Sequence, residues 1–125
     1  MREITDHKFN GLNEAIEILA DEPDPNCGNA SHTYAIRLWT EDKTAVWQGP
    51  EIKFQRGPIK EVGVNGLSNE ALLAIVIDRL RGFQLGEFAC HENAMALTMA
   101  EESLAWLKIR TQQRIERGVE GTNVK

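Results

Sequence analysis

The run Ala71-Leu72-Leu73-Ala74-Ile75-Val76-Ile77 constrains the fold more than any other stretch of this chain. It stops at Asp78, well short of the roughly 18 apolar residues that a membrane span needs. Ser68 or Asn69 can cap a helix here, and Glu70 in the first turn suits the positive end of the helix dipole. The pattern predicts a helix from Ser68 to about Arg81 that stops at Gly82. A helix that is apolar all round must be covered on more than one side. A chain of 125 residues fits one domain and builds only a modest core, so a partner chain is expected to cover one of those sides.

A second helix is expected from His91-Glu92 to Arg117. Gly118 is a natural residue just past its end, and Arg114 and Arg117 sit in the last turns, where cations suit the dipole. Gly82-Phe83-Gln84-Leu85-Gly86 reads as the turn between the two helices, giving an αα-hairpin and tail over residues 68–125.

The first part, residues 1–67, reads differently. Asp21-Glu22-Pro23-Asp24-Pro25-Asn26-Cys27-Gly28-Asn29 can be neither helix nor strand, because two prolines fix φ and remove donors. Thr33 to Trp39 alternates apolar and polar residues with the period of a half-buried strand. Ala45 to Gln48, and then Ile52-Lys53-Phe54 beyond Gly49-Pro50, alternate likewise. Ala15 to Ala20 is strand-like, although Leu12, Ile16 and Leu19 also fit a helix stripe. The expected fold class is therefore α+β. A small N-terminal antiparallel sheet of three or four strands over 1–67 precedes a long helical hairpin over 68–125, in one compact domain that oligomerises through the helices.

With 42% hydrophobic and 26% charged residues, the chain is not of disordered composition. A net charge of −5 excludes a general DNA or RNA binder, which works by neutralising phosphates. The start Met1-Arg2-Glu3-Ile4-Thr5-Asp6 has no apolar stretch of a secretory signal, so a cytoplasmic location without membrane association is expected. Cys27 and Cys90 fit no metal or redox spacing and are expected as reduced thiols. His7, His32 and His91 are scattered, and no nucleotide-hydrolase, protease or dinucleotide motif is present. Neither a cofactor nor a metal is expected. Trp39, Trp47 and Trp106 are read as core residues.

The basic end of the second helix is the main functional signal. Arg110, Arg114 and Arg117 share one face, and residues 108–117 carry a net +3 inside an acidic chain. Arginine suits bidentate phosphate contacts. The same face continues backward through Leu107, Ser103, Ala100, Ala96 and Asn93, small residues that let another helix approach. Asn93 and Arg110 are 17 positions apart, about 25 Å along a helix. One small ligand reaches both only if they come from two subunits packed antiparallel. Phe83 can stack on a base, and Arg56 precedes Gly57-Pro58 at a strand end.

Gly57 to Gly66, Asn69 to Leu80, Gly82-Phe83-Gln84, Glu92-Asn93-Ala94 and the tail Arg114 to Thr122 together resemble the Thoeris anti-defence sponge family of bacteriophages. Ala15 to Ile18 and Asp21 to Pro25 resemble the first hairpin of that family. The helical hairpin is also shared with the anti-CBASS sponge family. The resemblance implies a non-enzymatic protein that binds cyclic nucleotide immune signals without degrading them. Those signals are cyclic ADP-ribose isomers such as glycocyclic ADP-ribose, and in some members cyclic di- or trinucleotides. It implies a homo-oligomer, dimer or hexamer. It also implies a pocket in which Phe83 stacks on the base, Asn93 makes polar contacts, and Arg110 and Arg114 hold the pyrophosphate, with Arg56 and Arg117 as further contacts. Two rival readings remain: a hydrolase that destroys the signal, and a plain oligomerisation module that binds a protein partner through the face of Ala96 and Ala100.

Overall fold

The computed structural model describes residues 1–125 and divides them into two compact units. The sheet unit comprises Met1–Gly57 and Val64–Gly66, and the hairpin unit comprises Pro58–Gly63 and Leu67–Lys125.

The sheet unit is a four-stranded antiparallel sheet in chain order: β1 (Arg2–Ile4), β2 (Ile16–Ala20), β3 (Thr33–Trp39) and β4 (Val46–Lys53). Alternation in β3 sets the register. Ile4 lies opposite Ile18, which lies opposite Ile36. Ala20 faces Tyr34, which faces Ile52, and Ile16 faces Leu38, which faces Trp47. These rows make one face apolar, because directly paired residues share a face. The other face carries Glu17 ion-paired to Arg37. The turn between β2 and β3 is irregular, as its prolines require, and Asp24 and Ala30 form an isolated bridge across it.

Three details differ from expectation. The ambiguous stretch 12–20 is both helix and strand. Asn10 caps a short α1 (Gly11–Ala15), its side chain accepting from the Asn13 N–H at 3.1 Å, and β2 begins at the next residue. Leu12 is 71% exposed, so it belongs to no buried stripe. Next, Gly49-Pro50 does not divide two strands but sits inside β4. Ala35 pairs with Glu51 and Arg37 with Gln48, so Gly49 and Pro50 together stand opposite Ile36 as a bulge. A Cβ at Gly49 would come within 2.9 Å of the Ile36 carbonyl oxygen, so glycine is required there. Proline is tolerated because β4 is an edge strand. Finally, β1 is too short to show alternation and is recruited by pairing alone.

The turn between β3 and β4 is closed by Asp42. Its Oδ1 accepts from the Thr40 hydroxyl at 2.6 Å, the Thr44 hydroxyl at 2.7 Å and the Thr44 N–H at 3.1 Å. The Thr40 and Thr44 hydroxyls, with the Thr44 N–H, hold the carboxyl at about 2. A depressed pKa in the fold means stability present above the unfolded value, near 4, and lost as pH falls toward 2. A pH titration followed by NMR should therefore give Asp42 a midpoint near 2, with the amides of Thr40 and Thr44 shifting in step. A midpoint near 4 would show that the turn does not hold in solution.

The hairpin unit holds α2 (Ile59–Val62), α3 (Asn69–Gln84) and α4 (His91–Glu116). Ser68 caps α3, its hydroxyl accepting from Ala71 N–H at 3.1 Å. The expected stop at Gly82 is overturned: α3 runs on to Gln84, and Gly82 has ordinary helical backbone with nothing crowding it. A glycine ends a helix where the chain turns into the left-handed region, and here it does not. Cys90 caps α4, its Sγ accepting from Asn93 N–H at 3.4 Å. The end of α4 is as expected. Gly118 has φ 73°, its N–H bonds to Ile115 C=O and the Val119 N–H to Arg114 C=O, each at 3.0 Å. Together these two bonds form a Schellman motif.

The apolar run of α3 is covered on only one side within the chain. Ile77 is 2% exposed, whereas Ile75 is 63% and Val76 49% exposed. Met95, Met99, Trp106 and Ile109 form a further exposed apolar stripe on α4. The expectation of core tryptophans fails for two of three, since Trp47 and Trp106 are both about two-thirds exposed (67% and 64%). No helix is long and apolar enough to cross a membrane.

Candidate functional site

Two parts of the hairpin unit carry the chemistry, one at each end of α4. At the α3–α4 turn, Phe83 lies in the last turn of α3 rather than in the loop. Its half-buried ring meets Phe88 edge-on, with centroids 6.4 Å apart and planes at 76°. The Arg79 guanidinium, one helical turn earlier, lies 5.0 Å from the Phe83 ring centroid. Gln84 ties the turn together, its Oε1 accepting from Cys90 N–H and its Nε2 donating to Cys90 C=O, both at 3.1 Å. Asn93, half-buried in the first turn of α4, points its Nδ2 at the Phe88 carbonyl 3.5 Å away. The structure thus brings Phe83 and Asn93 to one end of the hairpin. Phe88 and Arg79 join them, neither of which was singled out from the sequence. The only signal for Phe88 was a second aromatic five residues after the first, beyond Gly86.

At the far end, helical spacing makes Arg110, Arg114 and Arg117 look equivalent, but the structure separates them. Arg110 is exposed and makes no hydrogen bond or ion pair within the chain. Arg114 is buried, 9% exposed. Its guanidinium donates to Glu120 Oε2 at 3.1 Å, Val124 C=O at 2.6 Å, Val119 C=O at 3.0 Å and Thr122 C=O at 3.1 Å. Four of the five N–H donors of an arginine are thereby committed to the chain's own tail. Arg117 is exposed and donates to the Lys125 carbonyl. Arg114 is therefore the clasp of the tail, and Arg110 is the arginine of this face that makes neither a hydrogen bond nor an ion pair within the chain.

Between these ends runs an open groove of about 440 Å³. Asn69, Leu72, Leu73 and Val76 of α3 line one wall, and Ser103 and Leu107 of α4 the other. Arg110 follows Leu107 by three residues and so stands one turn beyond the groove on the same face. The small-residue face of α4 read from the sequence is thus partly a groove wall within a single chain.

Arg56 belongs to the sheet unit, and its guanidinium pairs with Asp21 at 2.9 Å and Asp24 at 3.4 Å. Partial burial pushes the Asp21 carboxyl up, but the backbone N–H groups of His32 and Thr33 and the Arg56 guanidinium outweigh it and hold it below the usual range. Burial, with Asp24 beside it, pushes the Cys27 thiol up, as for an unreactive cysteine. Arg56 thus fastens the 21–30 turn. No three His, Cys, Asp or Glu side chains gather as a metal-ligand set.

Comparison with known proteins bears on the same segment. Residues 48–111 match the family described as Acb2/Tad1, hairpin domain, which is just over half of the chain and includes α3, its turn and most of α4. A relative in Bacillus phage SBSphiJ7 named Thoeris anti-defense 1 is 57% identical over 74 residues, 59% of this chain. The match spans about half of that relative's length (52%). The two aromatics, Asn93 and Arg110 all lie within the matched hairpin, and on this evidence the chain belongs to the Acb2/Tad1 hairpin family.

Proposed function

We propose that this protein is a phage anti-defence sponge that binds a cyclic nucleotide immune signal intact and keeps it from its effector. The signal class is the cyclic ADP-ribose isomers, with cyclic di- and trinucleotides as close chemical relatives. The observation that carries this reading is Arg110: an exposed guanidinium with no ion pair within the chain on α4, the helix that also bears Asn93, in a family hairpin whose similar phage relative is named for anti-defence. The aromatic pair suits a base, and a guanidinium suits a pyrophosphate.

Two copies are part of the proposal. Asn93 and Arg110 lie about 25 Å apart along one helix, so a ligand of dinucleotide size touches both only where α4 of one copy lies antiparallel to α4 of another. The exposed Ile75, Val76, Met99 and Trp106 give such packing its apolar surface. Binding, rather than turnover, is the reading we favour, and it is supported by the groups the site offers: a stacking ring, an amide and a cation. Arg114 and Arg56 serve the fold in this reading, and Phe83, Asn93 and Arg110 serve the ligand.

The test is titration calorimetry of the purified protein against cyclic ADP-ribose isomers, cyclic di-AMP and cyclic tri-AMP. Release by denaturation and mass analysis of the recovered ligand follow. Arg110→Ala should weaken binding at least tenfold, the equivalent of about 1.4 kcal/mol, while leaving the thermal melt in place. Recovered ligand should be chemically unchanged. A cleaved product, or no heat with any of these compounds, would refute the proposal.

A further inference from the structure

The tripeptide Asn-Gly-Leu occurs twice in the chain, as Asn10-Gly11-Leu12 and as Asn65-Gly66-Leu67. An asparagine followed by glycine can cyclise without an enzyme. The glycine nitrogen attacks the side-chain carbonyl carbon, and glycine has no Cβ to restrict the turn of the backbone that this needs. The sequence gives both copies the same reactivity, but the structure does not.

At Asn65 the reacting groups are committed. Its Oδ1 accepts from the Arg56 N–H and its Nδ2 donates to the Arg56 carbonyl, both at 2.8 Å. Its own N–H donates to Gln55 Oε1 at 2.8 Å. Gly66 lies against backbone, since a Cβ there would come within 2.4 Å of the Phe54 carbonyl carbon. The Gly66 nitrogen cannot swing toward the carboxamide without breaking this set.

Asn10 and Gly11 are both exposed, and nothing lies within 4 Å of a Cβ built on Gly11. The Gly11 N–H is one of the unpaired donors at the start of α1, so the attacking nitrogen is free. Asn10 Nδ2, the leaving group, is bonded to nothing in the chain. Asn10 Oδ1, where negative charge develops, accepts from the Asn13 N–H at 3.1 Å and from Asn13 Nδ2 at 2.8 Å. Those two donors stabilise the charge as attack proceeds. The Asn10 backbone is extended (φ −141°, ψ 174°) and must turn about ψ for the ring to close. A helix of five residues resists that turn weakly.

We propose that Asn10 is a site of self-modification: it loses its amide to attack by the Gly11 nitrogen, while Asn65 is protected by the fold. The bond from Gly11 N to Asn10 Cγ forms and the Cγ–Nδ2 bond breaks. Ammonia leaves with the proton given up by Gly11. Water then opens the cyclic imide at either carbonyl, giving aspartate or isoaspartate, and either product adds one negative charge to the net −5. Aspartate caps a helix as well as asparagine does, so that product keeps α1. Isoaspartate routes the main chain through Cγ, moves the carboxylate off the capping position and opens α1. None of this depends on the nucleotide-binding reading.

The experiment incubates the purified protein in mildly alkaline heavy-oxygen water and maps each asparagine by proteolysis and fragment-ion mass spectrometry. Asn10 should convert about tenfold faster than Asn65 or more, because the two carboxamide hydrogen bonds of Asn65 must break first. In urea, where neither residue is held, the two rates should converge. Gly11→Ala has room for its methyl group and should suppress conversion at residue 10 without changing that at residue 65. The amides of Asn13 and Glu14 should lose hydrogen-exchange protection in the isoaspartate fraction and keep it in the aspartate fraction. Equal rates at the two asparagines in the native protein overturn the proposal. So does an Asn10 that converts in urea but not in the native protein. The urea comparison uses the wild type alone, and so decides the matter even if Gly11→Ala misfolds.

Discussion

Arg114→Ala should lower stability by about 3 kcal/mol and free the last eight residues, with no direct effect on a ligand. The estimate follows from what is left behind. Hydrogen bonds to a charged group contribute about 1.5–3 kcal/mol each, discounted here because water can reach part of the vacated space. The variant leaves the carbonyls of Thr122 and Val124 without their donor and Glu120 without its cation, while the Val119 carbonyl keeps only the Thr122 N–H and hydroxyl. Arg114→Lys should recover only part of the loss, because an ammonium has three donors and no planar fork. Hydrogen exchange supplies the readout. Amides of 118–125 should lose protection in Arg114→Ala and keep it in Arg110→Ala, so the two arginines should separate into opposite phenotypes. A tail that stays protected in Arg114→Ala would disprove the clasp.

Gly66→Ala should be at least as damaging to the sheet unit. A Cβ at Gly66 would lie 2.4 Å from the Phe54 carbonyl carbon, 2.5 Å from its oxygen and 2.7 Å from Gln55 N. These are backbone atoms, so no side chain can rotate to make room. The segment is also pinned on either side of the clash. Asn65 Oδ1 accepts from the Arg56 N–H and Asn65 Nδ2 donates to the Arg56 carbonyl, both at 2.8 Å, and the Asn65 N–H donates to Gln55 Oε1 at the same distance. Relief would require breaking that set. Overpacking of this kind costs about 3 kcal/mol, at the upper end of its usual range. A fall of more than about 10 °C in the melting midpoint follows for a unit of this size. An unchanged midpoint would show that residues 64–66 do not lie against Phe54 in solution.

These two residues mark where the sequence was legible and where it was not. Local rules reached the parts that depend on neighbours in the chain. Alternation in Thr33–Trp39 located β3, and the prolines of 21–29 located the irregular turn. Ser68 and Gly118 located the ends of the hairpin. What depends on distant partners was hidden. Gly82 has the identity of a stop signal but sits in open helical backbone, and nothing in the sequence says which glycines leave the right-handed region. Gly49-Pro50 has the composition of a break, yet pairing with β3 absorbs it as a bulge. Arg110 and Arg114 have identical spacing logic, and only the path of the tail separates a fastened guanidinium from an open one. Phe83 was visible as an aromatic near the turn. That Phe88 is the more exposed of the pair depends on α3 running one turn further than its glycine implied.

The bulged outer strand has a consequence for how this molecule associates. Pro50 offers no N–H on the free rim of β4, and the displaced pair at 49–50 breaks the even ladder that an incoming strand would have to match. Sheet-to-sheet stacking of copies, and with it fibrous growth at high expression, is therefore obstructed at that rim. A strand added to this sheet would have to enter at the opposite edge, along the three residues of β1.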